Sequence, residues 1–76
     1  MSEYSHMKGN EFIKRIKKLA KERGVFFEWC PNMGKGSHGM LFFGDKLTVV
    51  RNPKDELKTG TFHAMLKQLE ISEDDL

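Results

Sequence analysis

Two stretches with an apolar period of three to four residues stand at opposite ends of this chain, and the apolar residues between them fall in strand-forming runs. In the first stretch Phe12, Ile13, Ile16, Leu19 and Ala20 recur at helical spacing, which lays one apolar face along a helix. That helix is expected to start at Gly9 or Asn10 and to run to about Arg23, where Gly24 supplies a residue that commonly ends helices in the left-handed conformation. In the last stretch Phe62, Met65, Leu66 and Leu69 form a second stripe, with His63, Lys67 and Glu70 on the opposite face. Thr59 is placed to cap this helix, which should end near Ile71.

Between the stripes, residues 25–30 are aromatic and β-branched and are closed by Pro31, which cannot donate to a sheet ladder, so they read as a strand. Residues 31–37 have the composition of a loop. Residues 38–43 and 46–51 read as two further strands, and Gly44-Asp45 between them is the signal of a tight hairpin. A second loop covers residues 52–58. The expected fold class is therefore α+β, in the order α-β-β-β-α: a three-stranded antiparallel sheet with both helices packed on one face to close the core.

A chain of 76 residues supports one core, because a domain of this size buries only about 60% of its unfolded surface. The expected organisation is a polar leader at residues 1–7, one domain at 8–71 and an acidic tail at 72–76. A single cysteine, Cys30, allows no intrachain disulfide and points to a reducing compartment. At the end of a strand it reads as a small hydrophobe rather than as a reactive thiol. No segment has the length of apolar sequence that a membrane span or a signal peptide needs, so the expected location is the cytoplasm.

Charge is divided along the chain. Lys8, Lys14, Arg15, Lys17, Lys18, Lys21 and Arg23 stand against Glu11 and Glu22 in the first helical segment, and Glu70, Glu73, Asp74 and Asp75 make the far end acidic. A basic helix suits a polyanion, and it is also the ordinary solvated side of an amphipathic helix. Phe26, Phe27, Trp29, Phe42 and Phe43 are mostly core in a domain this small, but alternation turns either Phe26 or Phe27 outward, to stack on a base or to meet a protein partner.

Three histidines and one cysteine are too few for a zinc finger, and no acidic cluster offers the oxygens that magnesium or calcium takes; neither a metal nor a cofactor is expected. Gly34-Lys35-Gly36-Ser37 has the composition of a phosphate-binding loop but lacks the P-loop spacing, and a strand follows where that motif needs a helix. There remains His38, at the mouth of a strand after a glycine-rich loop that carries Lys35. An imidazole exchanges protons near neutral pH, as RNA cleavage requires: a base for the ribose 2′-hydroxyl, or an acid for the leaving 5′-oxygen. Lys35 and the amides of Gly34 and Gly36 are suited to hold a phosphate.

Gly36-Ser37-His38, followed by Gly39-Met40-Leu41-Phe42, resembles the Gly-Ser-His motif of HicA-type toxins, which leads into their second strand. Residues 54–62 together with Met65-Leu66-Lys67-Gln68-Leu69 are similar to that family's second signature, a Lys-Gly-Thr-like opening of the last helix followed by an Ile-Leu-Lys-Gln-like run. The resemblance covers roughly residues 7–71. It implies a fold like the double-stranded-RNA-binding domain and the toxin role in a type II toxin–antitoxin pair. It further implies metal-independent, translation-independent cleavage of mRNA, with His38 at the position of the catalytic histidine. The implied partner is a HicB-type antitoxin that covers the site, DNA being bound only through the antitoxin complex.

The sequence departs from the family after the third strand, where Arg51-Asn52-Pro53 stands in place of a Pro and a further His, and after the motif histidine, where it has Gly39. The second proton-transfer group is thereby left open among Lys35, Arg51 and His63; Gly36, Ser37 and these three are the expected substrate contacts. A two-residue hairpin pairs His38 with Arg51, and a cation there favours the neutral imidazole that a base requires. His63 also reads simply as a solvent-exposed residue of the last helix. The alternative is a non-catalytic RNA-binding module, whose affinity is salt-sensitive and survives loss of His38.

Overall fold

The computed structural model describes residues 7–31 and 38–76. Helix α1 (Gly9–Arg23) is followed by strands β1 (Phe27–Cys30), β2 (Gly39–Phe43) and β3 (Lys46–Val50), then by helix α2 (Thr59–Leu69) and a 3₁₀ turn at Glu73–Asp75. The strands form one antiparallel sheet in the order β1-β2-β3, the α-β-β-β-α architecture expected from the sequence.

Alternation sorts the sheet into two faces. Leu41, Phe43, Thr48 and Val50 are buried, with Phe27 and Trp29 packed against the core. They meet Phe12, Ile13, Ile16, Leu19 and Ala20 of α1 and Phe62, Met65, Leu66 and Leu69 of α2, so both stripes read in the sequence are core. Phe12 and Phe62 join the helices edge to face, ring centroids 6.0 Å apart, a contact worth about 0.5–1.5 kcal/mol beyond the area it buries. Thr48, 1% exposed, is the buried polar residue among the described residues; its hydroxyl donates to Oε1 of Gln68 on α2, so no buried donor is orphaned there.

Several ends differ from the sequence expectation. β1 starts at Phe27 rather than at residue 25, because the Val25 N–H is spent on the Ala20 carbonyl (3.0 Å) in closing α1, beside Gly24 at φ 67°. β2 and β3 each fall one residue short, leaving His38 and Arg51 just outside the sheet. α2 ends at Leu69 rather than near Ile71, because Glu70 turns left-handed (φ 58°) and Ile71 N–H bonds back to Leu66. Thr59 does not cap it: Lys58 is the N-cap, no side chain caps the helix, and the Phe62 N–H bonds to the Lys58 carbonyl at 2.8 Å. Met7, expected at the end of a leader, is 2% exposed in the core, its carbonyl accepting from Leu57 N–H at 2.8 Å. The chain end packs back as well, with Asp75 paired to Arg23 at 2.9 Å and Leu76 against the core.

The hairpin between β2 and β3 has two turn residues, with Phe43 opposite Lys46. Gly44 has φ 61° and Asp45 does not share a positive φ, the pattern of a type II′ turn, whose first central position favours glycine. This turn fixes the register up to Gly39 opposite Val50, and hence what stands beside His38.

Candidate active site

Beyond the Gly39–Val50 pair the next residues in register are His38 and Arg51, both exposed. They are the two positions that the turn length sets opposite each other, one step past the last paired residues of the sheet. Gly39 is required at its position by a close approach: a Cβ there stands 2.3 Å from Cη2 of Trp29 and 2.8 Å from Cζ2. The glycine that follows His38 is thus matched to a tryptophan lying across it.

The same Trp29 ring lines an open cleft of about 460 Å³, with Asn10, Pro31, Asn52, Pro53, Lys54 and Asp55. The cleft exists because residues 53–57 are pinned to the start of α1. Gly9 N–H donates to the Asp55 carbonyl (3.1 Å), Asn10 N–H donates to the Pro53 carbonyl (2.8 Å), and Lys8 bridges to Glu56. These carbonyls satisfy N–H groups that a helix start otherwise leaves open. A Cβ at Gly9 comes within 2.7 Å of Pro53 Cα, so this seam is closely packed.

His38 is not among the residues lining the cleft; it stands next to Gly39, over which the Trp29 ring lies. Lys54 supplies a cation in the cleft, and Asn10 and Asn52 supply amides. Sequence reasoning gave none of the three a role, although Lys54 opens the second signature. Lys35, Gly36 and Ser37 lie outside the described residues. His63 is exposed on α2, its ring 5.3 Å from that of Phe62, and lines a separate groove with Lys67, Glu70 and Ser72. That groove shares no lining residue with the Trp29 cleft. Arg51 also borders a shallow groove between β3 and α2, with Ala64 and Gln68.

Among the described residues no group of three or more His, Cys, Asp and Glu is arranged to hold a metal ion, and no helix is long and apolar enough to cross a membrane. Cys30 closes β1, and its Sγ donates to Oε2 of Glu28 at 3.1 Å. That hydrogen bond to a carboxylate holds the thiol above its ordinary pKa, which disfavours the thiolate a nucleophile needs.

No protein-family model, curated protein or solved structure is detectably similar to this chain.

The outer face of the sheet carries Met40 and Phe42, half-buried, with Leu47 at 46% and Val49 at 41% exposure. Phe26, just before β1, is 57% exposed while Phe27 packs inward; Phe26 is the outward ring that alternation requires. Met40 and Val49 lie at the end of this surface nearest His38 and Arg51, and Phe26 and Leu47 lie toward the Gly44-Asp45 turn.

Proposed function

We propose that this protein is a metal-independent endoribonuclease of the HicA toxin type, which cleaves mRNA in the cytoplasm with His38 as its catalytic residue. The observation that carries the reading is the exposed His38 at the head of β2, with Arg51 next in register and the Lys54 cleft behind Trp29. It is supported by the Gly-Ser-His and second-signature resemblances and by an element order in agreement with them.

In the reaction, the ribose 2′-oxygen attacks the adjacent phosphorus and the bond to the 5′-oxygen breaks. His38 takes the 2′-hydroxyl proton, or gives a proton to the departing 5′-oxygen. Arg51, one step past Val50 in register, and Lys54, in the Trp29 cleft, are the cations assigned to offset the charge that builds on the phosphoryl oxygens. The partner in this reading is a HicB-type antitoxin, with DNA contacted only through the pair; exposed apolar surface such as that around Phe26, Leu47 and Val49 is of the kind protein partners cover.

The cellular test is induction of the chain in bacteria whose translation has been arrested, with individual mRNAs followed over time. Accelerated mRNA decay with the parent and none with His38→Ala, at matched protein levels, is the expected result. Equal decay in both strains, or none in either, refutes the assignment and leaves the non-catalytic RNA-binding module.

A further inference from the structure

Helix α1 carries more positive charge than its ion pairs consume. Arg15 holds Glu11 at 2.9 Å and Arg23 holds Asp75 at 2.9 Å, while Lys46 takes Asp45 at 3.0 Å and Glu70 at 3.4 Å. Lys14, Lys17, Lys18 and Lys21 are all exposed, and none has an ion-pair partner among the described residues.

At 3.6 residues per turn these four lysines fall within about 100° of the helix circumference and along about 10 Å of its axis. Glu11 and Glu22 project outside that sector. The pairs Lys14–Lys17, Lys14–Lys18, Lys17–Lys21 and Lys18–Lys21 are like charges one turn apart, an arrangement that works against the helix when nothing neutralises it. A polyanion laid along the stripe removes that repulsion.

Asn10 lies in the same sector, one turn before Lys14, and it also lines the cleft with Trp29, Asn52 and Lys54. The stripe is therefore continuous with the Trp29 cleft. No aromatic residue interrupts it, so it is suited to phosphates and not to bases.

We infer that the Lys14, Lys17, Lys18 and Lys21 stripe is a docking track for the sugar–phosphate backbone of single-stranded RNA, leading away from the Asn10 end of the cleft. The inference rests on the nuclease reading for what occupies the cleft, but the track itself is tested by binding alone.

The experiment measures binding of a labelled mixed-sequence single-stranded RNA by fluorescence anisotropy over a range of salt. The full chain carrying His38→Ala, which removes the proposed cleavage, is compared with the same chain carrying Lys14→Ala, Lys17→Ala, Lys18→Ala and Lys21→Ala as well. All four sites are exposed and alanine is a strong helix former, and circular dichroism verifies the fold. Four lost phosphate contacts are expected to weaken binding about tenfold or more at low salt and to flatten the slope of log K against log salt by about 3. Lys67→Ala, on α2, is expected to change neither quantity. Unchanged affinity and slope in the folded stripe variant overturn the inference.

The two failures are separable. If the parent cleaves no RNA but the stripe variant loses binding, the nuclease reading falls and the track stands. If the parent cleaves RNA and the stripe variant binds as tightly as the chain carrying His38→Ala alone, the track falls and the nuclease reading stands.

Discussion

Gly39→Ala is the substitution that most sharply tests the packing beneath the candidate site. The added Cβ would lie 2.3, 2.8 and 2.9 Å from Cη2, Cζ2 and Cζ3 of Trp29, distances that no unshifted ring tolerates. Overfilling a packed site costs about 1–3 kcal/mol, and replacing a strand glycine by alanine returns about 0.5–1 kcal/mol. A net loss of up to about 2.5 kcal/mol follows, and in a domain of this size each kcal/mol lowers Tm by about 4–8 °C. Trp29 is the sole tryptophan, so urea unfolding followed by circular dichroism gives the stability while native-state emission reports the ring. The decisive comparison is with Trp29→Leu: in that background Gly39→Ala should be neutral or stabilising, a coupling of about 1 kcal/mol or more between the two sites. An equal loss in both backgrounds, with unshifted emission in Gly39→Ala, would refute the argument that the ring dictates the glycine.

The Thr48–Gln68 pair should respond asymmetrically: Gln68→Ala strands a buried hydroxyl and costs about 1–3 kcal/mol, whereas Thr48→Val in the Gln68→Ala background restores most of it, as denaturant midpoints will show. Glu70 closes α2 at φ 58°, where a side chain costs about 1 kcal/mol or more; Glu70→Gly should raise the melting temperature despite loss of the exposed Lys46 pair. Asp75 is held below its usual pKa of 3.8, first by the Ser72 backbone N–H and then by the Arg23 charge. A carboxyl depressed in the folded state stabilises above its unfolded pKa, and that contribution is lost as pH falls through the folded value. Asp75→Asn should therefore leave a shallower decline of stability with pH below about 4, measured by urea titration at successive pH values.

Both helices were legible in the sequence because one apolar stripe of period 3.6 needs no long-range information, and Phe12 to Ala20 and Phe62 to Leu69 are buried as that pattern requires. The register of β2 on β3 was legible for a different reason. Gly44-Asp45 is the signal of a two-residue turn, and that turn sets Gly39 opposite Val50. Element ends were less legible because backbone groups decide them. Val25 N–H goes to Ala20, and the Lys58 carbonyl, not the Thr59 hydroxyl, closes the first turn of α2. Met7 shows no period with its neighbours, and its burial follows from pairing with Leu57, far along the chain.

The register that sets His38 and Arg51 one step past the Gly39–Val50 pair is readable from a local turn, while the Trp29 cleft is not. It is assembled by hydrogen bonds from Gly9 and Asn10 to the carbonyls of Asp55 and Pro53, more than forty residues away in sequence. Lys54, Asn10 and Asn52 therefore carry no mark of their position in a one-dimensional pattern. The Gly39–Trp29 fit is hidden in the same way, because a glycine in a strand does not announce which side chain lies across it.

The central claim is metal-independent RNA cleavage by His38, and the most direct measurement is cleavage of a mixed-sequence single-stranded RNA by the purified chain in excess EDTA, beside a folded His38→Ala. General acid–base catalysis by one group contributes about 10²–10⁴ in rate, so cleavage by the parent that falls by that factor in the variant is the predicted result. A folded parent that leaves the RNA intact, or a variant that cuts as fast as the parent, contradicts it.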